Sequence, residues 1–200
     1  IPVKLYQVAS VATNGSYTAL DAFKGLDFSK ANSEATAQMW SEMAQQASKM
    51  VTADTPAAAQ IQIQKAEGQE HATGRAEGLS TGMYLVIAES VQSEQYVYDF
   101  IPYLVALPNN YYATTGDDTW VYDVDTELKP EQQERFGSLI IDKTLTSYNA
   151  TLAGAEFVFQ VEAIKDGKKV YSNVHTLSFD GTGTKSLQID RLPAGAQVTV

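Results

Sequence analysis

The stretch Trp120-Val121-Tyr122-Asp123-Val124-Asp125-Thr126-Glu127-Leu128-Lys129-Pro130, followed by Gly137-Ser138-Leu139-Ile140-Ile141-Asp142-Lys143, decides how this chain is read. In an extended strand, side chains alternate between two faces with a period of two. Trp120, Tyr122, Val124, Thr126 and Leu128 then share one face, and Asp123, Asp125, Glu127 and Lys129 share the other. Lys129 is therefore expected to face solvent. In the second run Leu139, Ile141, Lys143 and Leu145 fall on one face, which predicts a buried Lys143 among apolar neighbours.

Outward from this stretch, further alternating runs occur at residues 3–11, 83–88, 96–107, 157–163, 169–172 and 187–189, separated by turn-forming residues. The pattern predicts a mainly β protein built of immunoglobulin-like β-sandwich domains and does not fit βαβ units. One helix interrupts it, over residues 33–51. Asn32-Ser33 supplies an N-cap, and Met39, Trp40, Met43, Ala47, Met50 and Val51 recur at helical spacing. Their stripe is expected to pack on a sheet. Residues 52–80 carry no sustained period and read as a loop with one short strand near Ile61-Gln62-Ile63.

The polar run Glu131-Gln132-Gln133-Glu134-Arg135 reads as a boundary between an N-terminal domain at 1–132 and a second domain at 136–200. A seven-stranded immunoglobulin-like sandwich takes about 100 residues. The second domain is shorter than that and runs out within the strand-like Gln197-Val198-Thr199-Val200, so it is expected to be incomplete at its C-terminus.

Composition excludes several classes of function. The chain has no cysteine, which removes disulfides, thiol nucleophiles and zinc-thiolate sites. Its two histidines, His71 and His175, lack partners at metal-ligand spacing, and Gly116-Asp117-Asp118 lacks the alternating oxygens of a calcium loop. There is no Gly-x-Ser-x-Gly elbow or phosphate-cradling glycine loop. No enzyme activity, catalytic residue, metal or cofactor is expected. A net charge of −10 argues against nucleic acid, whose binding needs a basic surface. No window approaches the roughly 18 apolar residues of a membrane span, and residue 1 opens directly into a strand-like run, so neither a leader nor an anchor is expected in the chain.

The residues then resemble a family. Trp120, Val124 and Lys129 match, in identity and spacing, the Trp-x-x-x-Val-x-Val-Tyr-Pro-Lys motif of sortase-assembled shaft (backbone) pilins of Gram-positive bacteria, which are built from collagen-adhesin B-type domains. Thr126, Glu127 and Leu128 replace the motif's Val, Tyr and Pro. Leu5-Tyr6-Gln7-Val8-Ala9, Gly82-Met83-Tyr84-Leu85-Val86 and Tyr103-Leu104-Val105-Ala106-Leu107-Pro108 are similar to strands of such pilins. So are Leu152-Ala153-Gly154-Ala155-Glu156-Phe157 and Leu192-Pro193-Ala194-Gly195-Ala196 in the second domain.

The resemblance implies a structural subunit of a covalently polymerised, cell-wall-anchored, extracellular pilus. Its partners would be neighbouring pilin subunits and a class C sortase, which would join Lys129 to the threonine of an LPxTG signal on another subunit. It implies for Lys143 an intramolecular isopeptide bond to an asparagine, assisted by an acid. Neither partner is evident in the sequence; Glu156 lies within reach but off the family's position. In the first domain Gln7 stands where bond-forming relatives carry lysine, Ala88 stands where they carry glutamate, and Glu89 is shifted to the other face. No internal bond is expected there, with Lys4 the weaker alternative amine. Two other functions remain open: a minor or tip pilin that binds a host surface ligand as an adhesin, and a stalk module of a wall-anchored surface protein.

Overall fold

The tetrapeptide Met83-Tyr84-Leu85-Val86 is buried at every position, which a strand achieves only when both faces of its sheet are covered. The computed structural model describes residues 1–31, 35–110, 116, 119–149, 151 and 154–200. It is mainly β, with several antiparallel sheets and, among the described residues, one α-helix. Among the described residues no helix is long and apolar enough to cross a membrane. The chain divides into two compact units, Ile1–Val91 with Tyr98–Glu131, and Gln92–Val97 with Gln132–Val200.

The first unit contains β1 (Pro2–Val11), β2 (Tyr17–Ala19), α1 (Ala37–Met50), β3 (Ala59–Gln62) and β4 (Gly82–Ala88). The short β5 (Val91–Gln92) and β6 (Tyr96–Phe100) are divided between the two units, and β7 (Tyr103–Leu107), β8 (Asn109–Asn110) and β9 (Trp120–Val121) belong to the first. Its main sheet runs β2-β1-β4-β7, with β3 also paired to β1. Strict alternation sends Met83 and Leu85 to one face and Tyr84 and Val86 to the other. The same split sends Tyr6 and Val8 of β1 to the first face and Val3 and Leu5 to the second. A bulge between Gln7 and Ala9 then turns Ala9 onto the same face as Val8.

The first face is covered by α1 through Met43, Ala44 and Ala47, joined by Phe23, Leu26 and Phe28. The apolar stripe of the helix thus packs as the sequence predicts, but the helix is shorter than 33–51. Thr36, in an extended conformation, is the N-cap and its hydroxyl accepts from the Met39 amide at 3.2 Å. The expected cap at Asn32-Ser33 lies outside the described residues, as do most of the Gly116-Asp117-Asp118 turn and Leu152-Ala153.

The run at 131–135, read from sequence as a linker, is largely strand: β10 (Pro130–Glu134) pairs with β6, and all five of its side chains are exposed. Polar composition misleads here because an exposed strand needs only backbone partners. The predicted strand over 96–107 is two strands, β6 and β7, interrupted at Ile101-Pro102, where proline has no amide to donate.

The second unit holds β11 (Phe136–Leu145), β12 (Ala155–Lys165), β13 (Lys168–Phe179), β14 (Gly183–Pro193) and β15 (Gln197–Thr199). One sheet pairs β11 with β14, and a second runs β13-β12-β15. Val161 and Ala163 from the second sheet and Ile189 and Leu192 from the first form one core. Ile189 and Leu192 are three residues apart yet face the same core. A bulge opposite Gly137 and Leu139 changes the parity, with Arg191 at φ 59° and its guanidinium over the Phe136 ring. β13 and β14 extend well beyond the predicted 169–172 and 187–189, because cross-strand pairing carries weakly patterned residues such as Asn173, Thr176 and Thr184 along with their neighbours.

Candidate functional site

The motif stretch is not one strand. Only Trp120 and Val121 pair, with Asn110 and Asn109, and residues 122–129 follow as an irregular strap. The expected apolar face does not form: Trp120 is 53% and Tyr122 68% exposed. Tertiary contacts displace the alternation. Leu128 packs against the second face of the main sheet, with Val3, Leu5, Tyr84 and Val86. Asp123 Oδ1 lies 3.2 Å from Arg75 Nη1. Thr126 hydrogen-bonds the Tyr103 hydroxyl, whose pKa burial pushes up, with Thr126 acting in the opposite sense.

Lys129 ends this strap, directly before β10, and is exposed. Its carbonyl accepts from the Ile101 amide at 3.1 Å, and its neighbour Leu128 is anchored in the apolar cluster. The backbone at Lys129 is thereby fixed on both sides while the amine points to solvent. Of the other motif residues, Val124 is half-buried and Trp120 is exposed. Val124 shares the strap with Lys129, Trp120 precedes it in β9, and the three share no strand face.

The strap and residues 73–79 flank the second face of the sheet and form a partly open cavity of about 730 Å³ wholly within the first unit. Its floor is aliphatic, from Val3, Leu5, Val86 and Val105, and Val124 and Leu128 add to its wall. Arg75 bridges the two walls, with Nε 2.9 Å from Glu77 Oε1 and Nη1 on Asp123. These two carboxylates hold its pKa above the usual guanidinium value. Sequence reading missed this site, since 52–80 shows no period; the one local signal was the Arg75-x-Glu77 pair.

Lys143 lies in β11, on the same side as Leu139 and Ile141, as the alternation predicts, but it is half-buried rather than buried. It sits near the end of the strand, beyond the aliphatic core, and its ammonium lies over the Phe157 ring at 4.4 Å. Its cross-strand partner is another lysine, Lys185, whose ammonium donates to the Ser178 carbonyl at 2.6 Å. Glu156 does not reach Lys143: it is exposed, and its carboxylate accepts from Ser178 Oγ at 3.5 Å. Among the described residues Lys143 has no ion pair.

In the first unit the Gln7 amide donates to the Thr81 carbonyl at 3.2 Å, and Lys4 pairs with Glu89 at 3.6 Å, both exposed. His175 is half-buried on β13, its Nε2 2.7 Å from the Tyr171 hydroxyl. No cluster of metal-ligating side chains occurs among the described residues. The sequence matches no protein-family model and no curated protein.

Proposed function

We propose that this chain is a structural subunit of a sortase-assembled, extracellular, cell-wall-anchored pilus, and that Lys129 is the amine through which it joins its neighbour. The observation that carries the reading is Lys129 itself. It is an exposed amine at motif spacing from Trp120 and Val124, on a backbone held by Leu128 and Ile101. A nucleophile for an external enzyme has to be reachable and held in a defined place. In this reaction a new amide forms between the Lys129 nitrogen and the threonine carbonyl of an LPxTG signal. The Thr-Gly peptide bond breaks, and the departing glycine amine takes up the proton that the lysine gives up. The two units are taken as immunoglobulin-like domains of the collagen-adhesin B type.

The test is incubation of the chain with a class C sortase and an LPxTG peptide. Wild type is expected to gain one peptide and Lys129→Ala none. Equal labelling of the two proteins discards the assignment. The exposed Trp120 and Tyr122 favour a second reading, a tip or minor pilin that uses this region as an adhesin. An adhesin of that kind would bind its ligand with Lys129 replaced.

A further inference from the structure

The cavity of the first unit has a use that linkage through Lys129 does not require. At about 730 Å³ it falls within the roughly 300–1,000 Å³ of small-molecule sites, and its floor is aliphatic. Such a floor favours an apolar body by removing it from water. The charged residues of its lining are Glu77, Asp123 and Asp125 against the single cation Arg75. Arg75 is engaged by Glu77 and Asp123, which leaves Asp125 without an ion pair among the described residues. Two of the three tyrosine hydroxyls of the lining are also engaged, Tyr84 donating to the Ser80 carbonyl at 2.6 Å and Tyr103 bonded to Thr126, while Tyr122 is exposed.

An anion entering here would meet repulsion from the acids and a guanidinium already shared between two carboxylates. A cation would meet a free carboxylate, the electron-rich faces of tyrosine rings and the field of a chain of charge −10. We propose that this cavity binds a small amphipathic cation, a molecule with a compact hydrocarbon body and one ammonium group. The body lies on Val3, Leu5, Val86 and Val105, and the ammonium pairs with Asp125.

Three probes of equal chain length separate the contributions: octyltrimethylammonium, octanol and octanoate, each titrated below its aggregation threshold into the full chain and followed by calorimetry. The ammonium is expected to bind most tightly and the carboxylate at least about tenfold more weakly, with the alcohol between them. Asp125→Asn should weaken the ammonium about fivefold and leave octanol unchanged. Asp54→Asn, an exposed acid of the same unit outside the cavity, should change neither. Saturation of none of the probes at millimolar concentration overturns the proposal. So does octanoate binding as well as the ammonium, or an equal loss in Asp125→Asn and Asp54→Asn, which would mark attraction by overall charge alone.

Discussion

The Lys165 ammonium lies 2.6 Å from Glu134 Oε1, with Lys165 only 7% exposed and its charge also over the Tyr96 ring at 5.0 Å. β12 points Val161, Ala163 and Lys165 inward, so the aliphatic core row ends in a lysine whose stem packs and whose charge is paired. The hydrogen bond to Glu134 raises the Lys165 pKa above 10.5, against the opposing pull of burial. A pKa raised on folding contributes stability that is complete below the unfolded value and disappears as pH climbs through the folded one. The urea midpoint of the second unit should therefore hold, on this account, up to the ordinary lysine pKa and fall as the pH is raised beyond it. Glu134→Gln should lower the midpoint at neutral pH and remove this part of the alkaline fall. If the variant loses stability with pH in parallel with wild type, other groups carry the alkaline dependence.

Gly82 pairs with Ser10, just past the bulge of β1, and a methyl group placed on it would lie 2.3 Å from the Ala9 carbonyl oxygen and 2.6 Å from the Gln7 amide nitrogen. The amide is the end of a side chain and can move; the carbonyl belongs to a central strand and cannot move without disturbing its pairing. Gly82→Ala is expected to cost about 3 kcal/mol, the upper part of the range for overpacking that shifts backbone. Gly15→Ala, where nothing lies within 4 Å but φ is +82°, should cost about 1 kcal/mol through backbone strain alone. Thermal melts that rank the two in the opposite order would show that the sheet yields at the bulge.

Period-two alternation made much of this fold legible before any coordinates. β1, β4, β11 and β12 lie where it puts them, because each buries at least one face and burial enforces the pattern. It failed at residues 122–128, where the alternation is real but has no strand to pair with, and where Arg75, Tyr103 and the sheet face each capture one side chain. The cavity was illegible for the same reason: its walls come from 73–79 and 122–128, segments related only in three dimensions. The assignment of residues 92–97 to the second unit was hidden too. Arg135 makes that connection, its Nη1 donating to the Ser93 carbonyl at 2.6 Å and its amide to the Gln95 carbonyl at 2.9 Å.

Thr36 sets where α1 begins. Its hydroxyl satisfies one of the amides that the first turn leaves without a helical partner. Thr36→Ala should destabilise the first unit by about 1 kcal/mol, with Thr36→Ser restoring most of it. Amide hydrogen exchange reads this directly, as faster exchange at Met39 and Trp40 in the alanine variant. An unchanged rate there would mean that packing of Met43, Ala44 and Ala47 on the sheet holds the first turn without the cap.

No lysine amine of either unit is expected to carry an internal covalent bond in this chain. In the first unit Gln7 spends its amide on the Thr81 carbonyl, and Lys4 and Glu89 form an exposed ion pair at 3.6 Å. Condensing that pair into an amide would require a neutral amine and an activated carboxyl, which water and an exposed surface do not favour. In the second unit the Lys143 ammonium rests on the Phe157 ring, with no acid paired to it among the described residues. The intact mass of the denatured chain should therefore equal that of the unmodified sequence. A lysine-to-asparagine bond would lower it by one ammonia, and a lysine-to-glutamate bond by one water. Peptide mapping locates any deficit: one that includes Lys143 would show that a described or neighbouring asparagine does reach it. One confined to residues 1–91 would overturn the reading of Gln7 as the residue that disables the bond in the first unit.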